Sequence, residues 1–111
     1  MMDWLNEIFN KQKEFQKFLL NKNEITPDPV KVYNSATAAI VEICEMLQED
    51  TRWKLAQGSV RPPHLDRNKF MMEYADVIIY LLNVLMYADI SCDEIKEVIS
   101  KKIYINWSRK S

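Results

Sequence analysis

Apolar side chains recur at helical period along most of the chain, and short polar stretches divide them into four blocks. Leu5, Ile8, Phe9, Phe15 and Leu19 share one stripe, and Asp3 ahead of them can cap the open N–H groups, which predicts a first helix running to about Lys22. The sequence TPDP interrupts the pattern. Asp28 followed by Pro29 suits a second start, because the fixed φ of proline fits the first helical position and the aspartate caps it. This helix should reach about Asp50. Gly58 and the adjacent Pro62 and Pro63 mark Thr51 to Leu65 as a loop. Asp66 can cap a third helix continuing to about Asp89, and Ser91 with Glu94 has the S-x-x-E spacing of a capping box that opens a fourth, directed towards Trp107. The expected architecture is all-α, a four-to-five-helix bundle.

Composition agrees. A single Gly and four Pro, against 48% apolar residues, favour helix over a turn-rich β architecture. At 111 residues the chain has room for one domain. Three Trp and six Met in so small a helical chain exceed what one core hides, so a homo-oligomer, a dimer or a dimer of dimers, is expected. The net charge of −1 provides no broad basic field for a nucleic-acid polymer, so any positive charge that matters is local. Cys44 and Cys92 lack paired metal-ligand spacing and lie by apolar helical sequence, which reads as reduced packing thiols. The segment MMDWLNEIFNKQKEF lacks the apolar core of a signal peptide, and the longest apolar run, Val77 to Leu82, falls far short of a membrane span. These features predict a cytoplasmic protein with no membrane partner.

Against this apolar background, two helices each carry acids three residues apart: Glu42 and Glu45 in AAIVEICEML, Glu73 and Asp76 in MMEYADVIIYLL. An i, i+3 pair sits on one helix face. Ile40, Val41, Ile43, Cys44, Met46 and Leu47 leave little of the second helix to meet water, so the acids are expected to be partly buried. Buried carboxylates are costly unless compensated, and four together repel one another. A hard divalent cation is the simplest compensation; carboxylate oxygens suit Mg²⁺, which keeps several waters and binds substrate phosphates. Either pair alone would be an ordinary charged helix surface. Together they gain weight, because the intervening loop can return the third helix antiparallel beside the second and let four oxygen donors converge.

Other polar residues fall on apolar stripes. Gln12 and Gln16 lie within about 20° of Leu5 on an ideal helical wheel. A buried amide needs partners, so each is either an inter-helix bond or a donor–acceptor pair able to read a base edge. Lys102, Asn106 and Arg109 lie within about 40° of Ile95, continuing the stripe of Val98 and Ile99. Cations there can meet phosphate or complement the helix C-terminus. Lys54, beside Trp53, is a further cation candidate. Tyr80 and Asn83 prolong the face of Glu73 and Asp76, where they could line the same cavity or pack as core. His64 reads as an exposed loop residue. No Ser, His and Asp arrangement, glycine-rich phosphate loop or Cys/His metal pattern is present, which leaves a covalent nucleophile or zinc mechanism without support.

In order along the chain, ExxE, ExxD after a loop, and K-x-x-x-N-x-x-R resemble the all-α nucleoside triphosphate pyrophosphatases, which include MazG-type enzymes and dimeric dUTPases. The stretches that carry the likeness are IVEICEML, RWK, EYADVIIYLLN and KIYINWSR, with QKEFQ resembling the dUTPase segment that supplies a base-reading Gln. The resemblance implies a MazG-like bundle in which Glu42, Glu45, Glu73 and Asp76 hold Mg²⁺, with Mn²⁺ as a substitute. It also implies that Lys54, Lys102, Asn106 and Arg109 grip phosphates, that Gln12 faces the base, and that Glu42 or Glu45 orients or deprotonates the attacking water. The substrate implied is a nucleoside triphosphate, a pyrimidine deoxynucleotide such as dUTP or dCTP, cleaved to the monophosphate and pyrophosphate. Gln16 stands where the dUTPase branch more often has Asn or Asp, and DVIIY is closer to the MazG and dCTP-pyrophosphatase branch, so the base stays open. The rival from another class is a non-catalytic helical module for oligomerisation or regulation; the presence of all four acids argues against it.

Overall fold

Each helix starts where the sequence supplies an acceptor. Asp3 accepts from the N–H groups of Leu5 and Asn6, Asp28 from those of Val30 and Lys31, and Asp66 from that of Lys69, while Ser91 and Glu94 form the reciprocal capping box. The computed structural model describes residues 3–53 and 64–109, which form α1 (Trp4–Leu20), α2 (Pro29–Glu49), α3 (Arg67–Tyr87) and α4 (Cys92–Ser108). The all-α expectation holds, with every boundary within about two residues of its sequence position. α1 stops short of Lys22 because Asn21 turns left-handed at φ 52°, a conformation asparagine tolerates, and its N–H bonds back to Lys17 and Phe18.

α2 and α3 form an antiparallel hairpin pinned at both ends. At one end the Asp28 N–H donates to the Tyr87 carbonyl at 2.9 Å, and the Lys31 ammonium stands 5.9 Å over the Tyr87 ring. At the other, the Thr51 N–H donates to the His64 carbonyl at 2.8 Å and the Asp66 N–H to the Glu49 carbonyl at 2.9 Å. His64 is exposed as expected, yet it has a structural part: its N–H donates to Thr51 Oγ1 at 3.0 Å and closes the base of the loop. α1 lies parallel to α3, with Gln12 beside Asn83 and Gln16 beside Tyr87. Phe9, Leu82, Met86 and Cys92 make the core between α1, α3 and the start of α4, with Leu5, Ile8 and Ile78 packed against it. Cys92 is therefore a packing thiol, whereas Cys44 is exposed, its side of α2 being uncovered by the described residues.

α4 docks antiparallel on the start of α1 through Asn6 with Asp93 and Asp3 with Lys96, and then leaves the bundle. Every residue from Glu97 to Arg109 is exposed. The radius of gyration, 17.4 Å, exceeds the roughly 13 Å of a closed domain of this length. By length and hydropathy α3 could cross a membrane, contrary to the expectation from its apolar runs. It carries Glu73 and Asp76, however, and packs along α2 for its whole length, which is the behaviour of a central bundle helix. Leu82, 5% exposed at the centre of the core, sets a test: Leu82→Ala should lower stability by about 2–4 kcal/mol, read as a drop in the urea midpoint.

Candidate functional site

The hairpin register decides which acids meet. The pairing that sets Asp28 against Tyr87 and Asp50 against Leu65 also sets Glu42 directly opposite Glu73. Ala39, 2% exposed, falls opposite Asp76, and its small side chain lets the two helices approach closely beside the acids. Carboxylate oxygens of Glu42, Glu73 and Asp76 lie within 4.8 Å of one another. Glu42 and Glu73 are half-buried and Asp76 is exposed.

Glu45 does not join this group, which corrects the expectation that four acids converge. On antiparallel helices, i, i+3 pairs run in opposite directions from a shared centre. Glu45 thus falls opposite Phe70, six residues or about 9 Å of helical rise from the level of Asp76, and points to solvent. It remains near enough for its charge to raise the pKa of Glu42.

The electrostatics are those of uncompensated anions. Glu42 Oε2 and Glu73 Oε2 are buried with no hydrogen-bond partner, and among the described residues none of the four acids is in an ion pair. The pKa of Glu42 is raised to about 7, first by the hydrogen bond its protonated form shares with Glu73, then by burial and by the charges of Glu45, Glu73 and Asp76. Two orphaned buried oxygens and a third carboxylate at bridging distance are the donor set of a hard divalent cation, so the residues present fit Mg²⁺.

Beyond the acids, Asp76, Tyr80 and Asn83 follow one another along the same face of α3. Asn83 is buried, Tyr80 half-buried, and Asn83 lies about 10 Å along the axis from Asp76. Gln12 Nε2 donates to Asn83 Oδ1 at 3.0 Å, which leaves Gln12 with a carbonyl oxygen and one N–H to offer. Gln12 also lines a cavity of about 470 Å³ walled by Trp4, Ile8, Tyr74, Ile78 and Leu82. Gln16 accepts the Tyr87 hydroxyl at 2.6 Å. Both amides are thus inter-helix bonds, and Tyr87, which the sequence reading passed over, is the partner of one; a Tyr on the Gln16-facing side of α3 becomes a signal only once α1 is known to run parallel. Lys102, Asn106 and Arg109 lie on the exposed part of α4, and the structure does not bring them to the acids of the same chain. Lys54 lies outside the described residues.

The fold and site are those of an all-α hairpin whose facing helices present a carboxylate cluster, with an amide pair further along the same face. The chain matches the dUTPase family over residues 4–108 and belongs to it, an all-α dimeric dUTPase-like family within the MazG-like superfamily. At the level of the family the activity is that of a nucleotide diphosphatase. No curated protein and no solved structure matches the chain.

The raised Glu42 pKa fixes the sign of a stability measurement. An acid whose pKa is higher in the folded state is protonated in both states below pH 4.5 and ionised in both above about 7, so folding loses free energy as pH rises through that window. In chelator, the melting temperature should fall between pH 4.5 and 7, and Glu42→Gln should flatten the fall. Mg²⁺ should raise the melting temperature of the parent at neutral pH, by about 2.7 kcal/mol of stability at a hundred times its Kd, and have little effect on Glu73→Gln.

Proposed function

We propose that the protein is a Mg²⁺-dependent nucleoside triphosphate pyrophosphohydrolase acting on a pyrimidine deoxynucleotide, dUTP or dCTP, with water entering between the α- and β-phosphates to give the monophosphate and pyrophosphate. The observation that carries this reading is the meeting of Glu42, Glu73 and Asp76 with two buried oxygens left unsatisfied. Family membership supplies the reaction class.

When bound by Glu42, Glu73 and Asp76, Mg²⁺ would neutralise triphosphate charge and make a coordinated water more acidic. The remaining work falls to the chain. Glu45, one turn from Glu42 and outside the converging trio, is the carboxylate available to orient the attacking water and accept its proton. Lys102, Asn106 and Arg109 supply donors for phosphate oxygens, where charge builds up as the leaving pyrophosphate departs. The roughly 10 Å between Asp76 and Asn83 is bridged by the sugar and α-phosphate, which sets the base against Gln12 and Asn83. The mixed donor and acceptor left on Gln12 match the edge of a pyrimidine.

Pyrophosphate release from dUTP and dCTP, measured with Mg²⁺ and with chelator, tests the proposal. Turnover should require the metal, and Glu73→Gln should lower kcat/KM by roughly 10²–10³-fold. A scaffold without catalysis would show no turnover of any nucleotide, and the same variant would merely be more stable. Gln12→Ala should lower kcat/KM for the preferred base by about tenfold or more and narrow its margin over the other pyrimidine.

A further inference from the structure

α1 is joined to α3 by two polar rungs of identical offset. Gln12 Nε2 donates to Asn83 Oδ1 at 3.0 Å, the Tyr87 hydroxyl donates to Gln16 Oε1 at 2.6 Å, and in both rungs the partners stand 71 residues apart in the chain. Equal offsets are what parallel helices at one register produce, with the rungs four residues, or about 6 Å of rise, apart. One rung alone is a pivot. Two fix both the roll of α1 about its axis and its slide along α3, which apolar contacts do not, since burial of area is non-directional while hydrogen bonds are not. Those apolar contacts also sit to one side. Leu5, Ile8 and Phe9 join the core from the first half of α1, whereas Phe15, Phe18 and Leu19 in its second half are exposed. Gln12 therefore stands between a packed half and a half whose hold on α3 includes the Gln16 rung.

Tyr87 is the firmly anchored member of that rung. It is 3% exposed, its carbonyl accepts the Asp28 N–H, and Lys31 stands over its ring, so the start of α2 as well as α3 fixes where its hydroxyl lies. The bond it makes to Gln16 is at the short end of the O–H···O range. The rung is remote from the acids: Tyr87 lies eleven residues, about 16 Å of helical rise, beyond Asp76.

We infer that Tyr87 and Gln16 are positioning residues for base selection: their bond sets the roll and register of α1 and so holds the Gln12 amide where it reads the base, without either side chain touching the substrate. This deepens the pyrophosphohydrolase reading and rests on it for the ligand. An amide offers a donor and an acceptor side by side, so a Gln12 free to swing suits dUTP and dCTP alike, whereas one held by Asn83 and by the second rung presents a single arrangement. The scale is that of one neutral hydrogen bond, so the effect is a change of preference and not an abolition of turnover.

The test compares full-length variants in kcat and KM for dUTP and dCTP at saturating Mg²⁺. Tyr87→Phe removes the hydroxyl and keeps the buried ring. It should raise KM for the preferred nucleotide by roughly three- to tenfold, narrow its margin over the other by the same factor, and leave kcat within about twofold. The Mg²⁺-induced rise in melting temperature should not change. Gln16→Leu should match it, and Gln16→Glu, which keeps an acceptor at the same reach, should retain the parental margin. In a Gln12→Ala background Tyr87→Phe should alter the margin no further, because it acts through Gln12. A loss of stability alone lowers turnover of both nucleotides together and leaves their ratio, and that result overturns the inference. So does a Gln16→Leu effect larger than that of Tyr87→Phe and additive with it, which would make Gln16 itself a reader of the base. A parent inactive on every nucleotide overturns the pyrophosphohydrolase reading instead. The hold on Gln12 is then read without nucleotide, from its side-chain amide protons by nuclear magnetic resonance: Tyr87→Phe should collapse the pair towards the shifts of a solvent-exposed amide, and an unaltered pair overturns the positioning role.

Discussion

The repulsion between Glu42 and Glu73 is the constraint around which the rest is arranged. Two carboxylates face each other across an antiparallel hairpin, with a third beside them and a fourth one turn away. Left alone they favour a proton on Glu42, whose pKa is raised to about 7 first by its hydrogen bond with Glu73, then by burial and by the neighbouring charges. The hairpin holds them together because it is fastened elsewhere, by Asp28 to Tyr87 at one end and by Thr51, His64 and Asp66 at the other, and because Ala39 admits close approach between. The fold thus maintains an unfavourable arrangement locally from favourable contacts at a distance, a common property of sites shaped for a cation or a charged ligand.

The same hairpin orders the chemistry along its length. Acids sit near the loop end of α3, and the Gln12–Asn83 and Gln16–Tyr87 bonds lie progressively closer to its C-terminus. Those bonds fasten α1 and also hold the amide of Gln12 in one orientation, so a reader of the base would be preorganised rather than assembled on binding. Structural and recognition roles for Gln12 are therefore compatible, since one N–H and the carbonyl remain after the bond to Asn83.

The shape of the protomer reflects an unbalanced hydrophobic account. α2 exposes Ile40, Val41 and Leu47, α3 exposes Met72, and the α4 arm exposes Ile99 and Ile103, so the single chain covers only part of what its sequence would bury. The apolar positions expected to leave little of α2 to meet water are in part uncovered by the described residues, and Cys44 meets solvent on the same side.

Much was legible locally. Asp3, Asp28, Asp66 and the Ser91–Glu94 box announce the four helices because capping is settled within a few residues of backbone. The acid pairs announce the chemical type of the site because i, i+3 spacing fixes a helix face without reference to the rest of the chain. That three acids meet while Glu45 stands apart was decided by the register of α2 on α3, which depends on side-chain volumes at positions such as Ala39 and on the pins at both hairpin ends. The partners of Gln12 and Gln16, and the departure of α4 from the bundle, were likewise set by how whole helices pass one another. Short-range hydrogen bonding specifies elements and their chemistry from the sequence itself; long-range packing alone selects which of the prepared groups come within reach of a common ligand.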